Sequence, residues 1–168
     1  SNVDKYGLPI FYINQVGAQT ELIFDGGSAV MSPNGELFEE FPYFKEFQKS
    51  FELDEVYRWT QNIKQTKNKI QEIHDGLILG IKDYFGKLGF QKANLGLSGG
   101  IDSAVTCALA VKALGKENVR GILMPSPFSS DHSVEDAKIL AENLNIQYDL
   151  IPIEQPYESF LNLLKPLF

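Results

Sequence analysis

Leu95-Gly96-Leu97-Ser98-Gly99-Gly100-Ile101-Asp102-Ser103 joins an apolar strand to an apolar helix through a pair of glycines. Ala93, Leu95 and Leu97 alternate as in a buried strand, and Ala104, Val105, Ala108, Val111 and Leu114 then recur at helical spacing. The turn between them holds Ser98, Gly99, Gly100 and Ser103. Adjacent glycines adopt positive φ without steric cost and admit an anion close to the main chain, so successive N–H groups can face one concavity. The helix adds its unpaired first-turn N–H groups and the positive end of its dipole. The stretch therefore predicts a phosphate cradle. The alternative is an ordinary strand-to-helix turn whose serines and Asp102 serve as caps.

The cradle lacks Gly-Lys-Ser/Thr, so no lysine grips the β- and γ-phosphates. Its spacing is not G-x-G-x-x-G, which argues against a dinucleotide fingerprint. Asp102 stands at the lip, and a hard carboxylate oxygen suits Mg²⁺. Together these features point to a pyrophosphate whose charge is offset by Mg²⁺, and so to cleavage between the α- and β-phosphates of ATP.

Ser98-Gly99-Gly100-Ile101-Asp102-Ser103 resembles the SGGxDS signature of the PP-loop ATP pyrophosphatases. That family adenylates a carboxylate or carbonyl and lets nitrogen or sulfur attack it. Downstream, Met124-Pro125-Ser126-Pro127-Phe128-Ser129-Ser130-Asp131-His132-Ser133-Val134-Glu135-Asp136-Ala137 is similar to the MPSxxSSxxSxxDA stretch of glutamine-dependent NAD synthetases. Upstream, Leu8-Pro9-Ile10-Phe11-Tyr12-Ile13-Asn14-Gln15-Val16-Gly17 and Glu21 to Ser28 resemble the late strands of their nitrilase-like glutaminase domain. The resemblance implies an ATP site at Gly96, Leu97, Ser98, Gly99, Gly100, Ile101, Asp102 and Ser103, with Met124 beside the adenine and Asp102 on Mg²⁺. It also implies deamido-NAD and glutamine or ammonia as further substrates. The only cysteine is Cys107, so the glutaminase Cys-Glu-Lys set has no counterpart here.

The coarse organisation agrees with that parent. Residues 1–45 read as β-rich, with Asp25-Gly26-Gly27 and Pro33-Asn34-Gly35 as turns between short apolar runs. Residues 46–67 read as a connector, within an aromatic and charged stretch from Phe41 to Thr66. Its aromatics lack the basic interleaving of a base-stacking platform, so they are expected to be buried. Residues 68–168 open with a helix carrying Ile70, Ile73, Leu77, Ile81, Tyr84, Phe85 and Leu88 on one stripe and ending at Gly89. Strand Ala93–Leu97, helix Asp102–Leu114, strand Val119–Met124, helix Ser133–Leu144 and strand Ile146–Ile153 then give βαβαβ. That alternation implies an α/β fold with a parallel PP-loop sheet, ligands sitting beyond the strands' carboxyl ends. Glu154 to Phe168 reads as a partial helix.

Other side chains have plainer readings. Ser129, Ser130 and Ser133 are either donors to phosphate or ribose oxygens or turn and cap residues, with Ser133 and Asp136 as a capping box. His132 has no visible partner and reads as solvent-facing, and His74, with no second His or Cys at ligand spacing, reads as a surface or packing residue rather than a metal ligand. Cys107, on the apolar side of its helix, reads as a small core residue.

The chain of 168 residues carries 15 basic and 22 acidic side chains, a net charge of −7, which argues against a general nucleic-acid binder while leaving room for a local basic groove. No apolar run nears the roughly 20 residues that span a bilayer, and the opening residues are not expected to act as a leader, lacking its basic-then-apolar pattern. The expected partners are small-molecule substrates and further copies of the same chain in a homo-oligomer, with no nucleic acid and no membrane, in the cytoplasm. The sequence stops before the later metal-binding carboxylate and deamido-NAD contacts of the family, so these residues alone are expected to be inactive. Two other classes stay open: a different PP-loop amidotransferase, such as a GMP synthetase, and a non-catalytic nucleotide-binding module.

Overall fold

Asn34-Gly35 reverses the chain as its turn chemistry requires, with the Gly35 N–H donating to the Ser32 carbonyl at 2.9 Å. The computed structural model describes residues 2–61 and 68–167. The end of the expected connector, residues 62–67, lies outside the described residues, as do Ser1 and Phe168. The chain divides into two compact units, Ser1–Tyr84 and Phe85–Phe168.

The first unit opens with α1 (Asn2–Tyr6) and holds five short strands, β1 (Ile10–Tyr12), β2 (Val16–Gln19), β3 (Leu22–Asp25), β4 (Ala29–Met31) and β5 (Leu37–Glu40). They form an antiparallel sheet of order β1-β4-β5 and a β2-β3 hairpin. The apolar run from Ile10 to Val16 is not one continuous strand: it breaks between β1 and β2, and Asn14 sits at the break. Its N–H donates to Ser28 Oγ at 2.9 Å, and its Nδ2 donates to Asp25 Oδ1 at 3.0 Å and to the Gly26 carbonyl at 2.9 Å. One amide side chain thus ties the β1–β2 bend to the Asp25-Gly26-Gly27-Ser28 turn.

The aromatic stretch packs onto this sheet. Phe51 meets Phe11, Phe38 and Phe41, and Trp59 stands edge-on to Phe38 while its Nε1–H donates to the Leu37 carbonyl at 3.0 Å. A short helix, α2 (Leu53–Arg58), lies within it and buries Val56. No helix was expected there.

Helix α3 (Lys69–Leu88) has the expected length and ends at Gly89, whose φ of +74° is the left-handed stop that glycine favours. Its buried face differs from the expected stripe. Ile70, Ile73, Leu77, Tyr84 and Leu88 are exposed, whereas Gly76 is buried. A Cβ on Gly76 would stand 3.3 Å from the Phe44 ring, and one on Gly80 3.1 Å from Ile23. The sheets of the first unit therefore approach α3 where it has no side chains.

In the second unit β6 (Ala93–Gly96), β7 (Val119–Leu123) and β8 (Gln147–Leu150) make a parallel sheet of order β6-β7-β8, with Leu95, Gly121 and Tyr148 in register. Helices α4 (Ile101–Leu114) and α5 (Asp131–Asn143) pack on it around Leu97, Cys107, Ala110, Val119, Leu123, Ala137, Ala141 and Ile146. The inward face of α4 carries Cys107, as expected, and Ala110, with the expected Val111 and Leu114 packed beside them, whereas Val105 is exposed. The small residues let the helix lie close to the strands.

Ladder-like bonds continue past β8: Ile151 N–H donates to the Leu123 carbonyl at 2.8 Å and Ile153 N–H to the Pro125 carbonyl at 3.0 Å. The strand expected to run from Ile146 to Ile153 is nevertheless shorter: β8 ends at Leu150, and Ile153, at ψ 17°, has already left the extended conformation to cap α6 (Glu154–Leu164). Pro156 fits the first turn of α6, where its missing N–H costs nothing. Among the described residues, no helix is long and apolar enough to cross a membrane.

Candidate functional site: the turn between β6 and α4

Leu97 is the last residue held to the sheet, its N–H donating to the Ile122 carbonyl at 2.9 Å. Its side chain is buried in the core, which leaves only its main chain for a ligand. The chain then turns through Gly99, at φ +79°, into Gly100, the N-cap of α4. Ser98, Gly100 and Asp102 are exposed, and Ile101 is 75% exposed. The turn opens to solvent beyond the carboxyl end of β6, where parallel α/β sheets bind ligands.

Two hydroxyls fold into this turn. Ser98 N–H donates to Ser103 Oγ and Gly100 N–H to Ser98 Oγ, both at 3.3 Å. Ser103 Oγ donates in turn to the Gly100 carbonyl at 2.9 Å and lies 3.1 Å from Ser98 Oγ. The serine oxygens occupy the main-chain donors that a phosphate oxygen would take. Bonds of this length are weak, and Ser103 Oγ, which already gives its proton to the Gly100 carbonyl, serves the Ser98 N–H as an acceptor.

A hollow of about 120 Å³ lies beside the turn, lined by Leu97, Ser98, Leu123, Met124, Pro125, Ser129, Ser133 and Val134. It combines an apolar wall with hydroxyls and main chain. Met124 borders both the hollow and Gly96, its Cε 3.7 Å from where a Gly96 Cβ would lie. Leu123 and Val134 were not singled out in the sequence. They follow only from the convergence of β7 and α5 on the turn. A larger hollow of about 200 Å³ in the first unit is lined by Asn14, Gly26, Gly27, Ser28 and Lys45 among others; its glycine turn leads into strand β4 rather than into a helix, and Asn14 there is already bonded to Ser28.

The serine-rich segment resolves into two local motifs. Ser126 N–H donates to Ser129 Oγ at 3.0 Å, closing a turn. Ser130 is the N-cap of α5, its Oγ accepting from Ser133 N–H at 3.2 Å. This corrects the capping box expected at Ser133 and Asp136: α5 starts two residues earlier and Ser133 lies inside its first turn. Ser130 Oγ and Ser133 Oγ are 2.8 Å apart, so these hydroxyls hold each other.

Asp102 is in the first turn of α4. Among the described residues no group of three or more His, Cys, Asp or Glu side chains gathers as a metal site. Mg²⁺ takes one or two carboxylates and completes its shell with phosphate oxygens and water, so a lone exposed aspartate beside a phosphate turn fits an ion that arrives with a nucleotide. His132 is exposed, as expected. Cys107 is fully buried, and burial pushes its thiol above the ordinary value.

A parallel sheet with an SGGxDS turn at its carboxyl edge defines a PP-loop nucleotide-binding domain. The NAD synthase family model matches residues 70–167, more than half of the sequence. The chain belongs to the NAD synthase family. It is 45% identical over 167 residues to the glutamine-dependent NAD(+) synthetase of Synechocystis sp., covering 98% of this chain and 30% of that one. It is also similar to the structure of a glutamine-dependent NAD+ synthetase from Acinetobacter baumannii in complex with ADP, at 38% identity and a TM-score of 0.87, covering 99% of this chain and 32% of that one. An NH3-dependent NAD synthetase from Campylobacter jejuni matches at 36% identity and a TM-score of 0.54, covering 58% of this chain and 42% of that one. The chain thus spans about a third of the glutamine-dependent relatives.

Proposed function

We propose that this chain is the nucleotide-activating part of a glutamine-dependent NAD synthetase, which amidates deamido-NAD to NAD at the cost of ATP. The observation that carries the reading is the exposed turn from Ser98 to Ser103, with its main-chain donors held by two replaceable hydroxyls at the start of α4. In that reading residues 1–45 are the end of the glutaminase domain, 46–67 the connector and 68–168 the start of the synthetase domain. The protein acts in the cytoplasm as a homo-oligomer.

Gly96 to Ser103 hold the phosphates and Met124 borders the adenine. The nicotinate carboxylate attacks the α-phosphorus of ATP, the bond to the bridging oxygen breaks and pyrophosphate leaves. Ammonia released from glutamine then attacks the acyl carbon, loses a proton and expels AMP, which completes the amide. Main-chain donors and the end of the α4 dipole stabilise charge growing on the leaving pyrophosphate. Asp102 would hold Mg²⁺, which supplies positive charge against that group.

The test is turnover by a polypeptide that carries this chain together with the regions its relatives have on either side. The expected result is consumption of ATP and deamido-NAD with AMP, pyrophosphate and NAD as products, and no turnover by the 168 residues alone. Formation of ADP and phosphate, or activity on xanthosine monophosphate and none on deamido-NAD, overturns the reading. Turnover by the 168 residues alone overturns the assignment of the remaining contacts to other regions.

A further inference from the structure

The phosphate turn and the serine-rich segment meet at one point. A Cβ on Gly99 would lie 2.2 Å from the Ser133 carbonyl oxygen and 2.7 Å from its Cα. The main chain of Gly99 therefore rests on the main chain of Ser133, with no space for even a methyl group. Ser133 is in the first turn of α5, and its N–H is held by Ser130 Oγ. The wall under the phosphate turn is thus a helix end whose shape depends on one side-chain cap.

We propose that Ser130 is a positioning residue for the phosphate turn: by capping α5 it fixes Ser133, and through Ser133 it fixes the Gly99-Gly100 main chain that receives pyrophosphate. The proposal rests on the function argued above, and it assigns Ser130 a role without ligand contact. The Ser130 hydroxyl is committed within the protein, to Ser133 N–H and to Ser133 Oγ at 2.8 Å. Without the cap, a first-turn N–H loses its partner and that turn can open. Gly99, at φ +79° and tightly packed, then loses the surface that holds it.

The experiment compares Ser130→Ala, Ser130→Thr and the control Asn68→Ala in the full 168-residue chain. Asn68 Oδ1 accepts from Ile70 N–H and Gln71 N–H at the start of α3, so its removal costs a cap elsewhere. Two readouts are taken: the Gly99 and Gly100 amide resonances without ligand, and the affinity for inorganic pyrophosphate with Mg²⁺. Ser130→Ala is expected to shift both resonances and weaken pyrophosphate about fivefold, the usual worth of a cap. Threonine, which keeps the hydroxyl, is expected to restore both, and Asn68→Ala to change neither.

Unmoved Gly99 and Gly100 resonances in Ser130→Ala overturn the coupling, as does an equal loss of pyrophosphate affinity in Asn68→Ala. Failure of the wild-type chain to bind pyrophosphate instead overturns the proposed function. The ligand-free resonances still report separately on the contact between turn and helix.

Discussion

Gly99 meets two constraints that only a glycine satisfies together. Its φ of +79° disfavours any side chain, and a methyl group there would collide with the Ser133 carbonyl at 2.2 Å. Both obstacles are main chain, so no rotamer change relieves them. Gly99→Ala is expected to displace the turn and to weaken ATP at least about tenfold, the conformational penalty alone reaching roughly 1–2 kcal/mol. Because the turn is exposed, helix content should persist. Titration calorimetry with a circular dichroism control checks this, and unchanged affinity would refute the packing argument.

Cys107 gives the opposite case. It is fully buried, and burial pushes its thiol upward, so it stays protonated near neutral pH. A thiol reagent at pH 8 should leave the native chain unmodified and label it after denaturation. Rapid labelling of the folded chain would contradict the packing of α4.

At the scale of elements, what the sequence discloses depends on how local the deciding physics is. The turn after β6 was legible because glycine, serine and helix-start chemistry act within a few residues. The start of α5 was misplaced because Ser129, Ser130 and Ser133 all suit a cap, and only the three-dimensional course of the chain selects Ser130. The ends of α3 were legible from periodicity and Gly89, but its buried face was not. Large apolar residues set the expected stripe, whereas Phe44 and Ile23 pack against Gly76 and Gly80. Helix α2 was missed because Leu53–Arg58 is too short and too charged for a period to emerge.

Helix α3 also carries a pH-sensitive group. Hydrogen bonds from Gln71 first, and then from His74, hold the Asp75 carboxyl below the usual carboxylate range. A depressed native value means that its small stabilising effect is present above the unfolded-state value and fades as pH falls through the native one. The carboxyl is largely exposed, so solvent screens the effect. Gln71→Ala is expected to raise the Asp75 titration midpoint in a carboxyl NMR titration. An unmoved midpoint would show that the Gln71 Nε2 to Asp75 Oδ1 bond, at 2.8 Å, does not persist in solution.

For the whole molecule, a net charge of −7 opposes an anionic ligand, so affinity has to arise locally. Salt screens distant charges over about 8–10 Å, whereas main-chain donors would act on a phosphate at hydrogen-bond distance. If the phosphate turn is the site, ATP binds only where the second unit is folded, and its binding energy adds to that unit's stability. Amides in its core, such as those of Leu97, Cys107 and Leu123, then exchange only after ligand leaves and the unit opens. With Mg²⁺ present and ATP at about a hundred times its dissociation constant, their hydrogen exchange should slow about a hundredfold, equivalent to roughly 2.7 kcal/mol. Chelating Mg²⁺ at the same ATP concentration should abolish much of that protection, since uncompensated phosphate charge then meets Asp102. Protection unchanged by ATP at every concentration would place the nucleotide somewhere other than this turn.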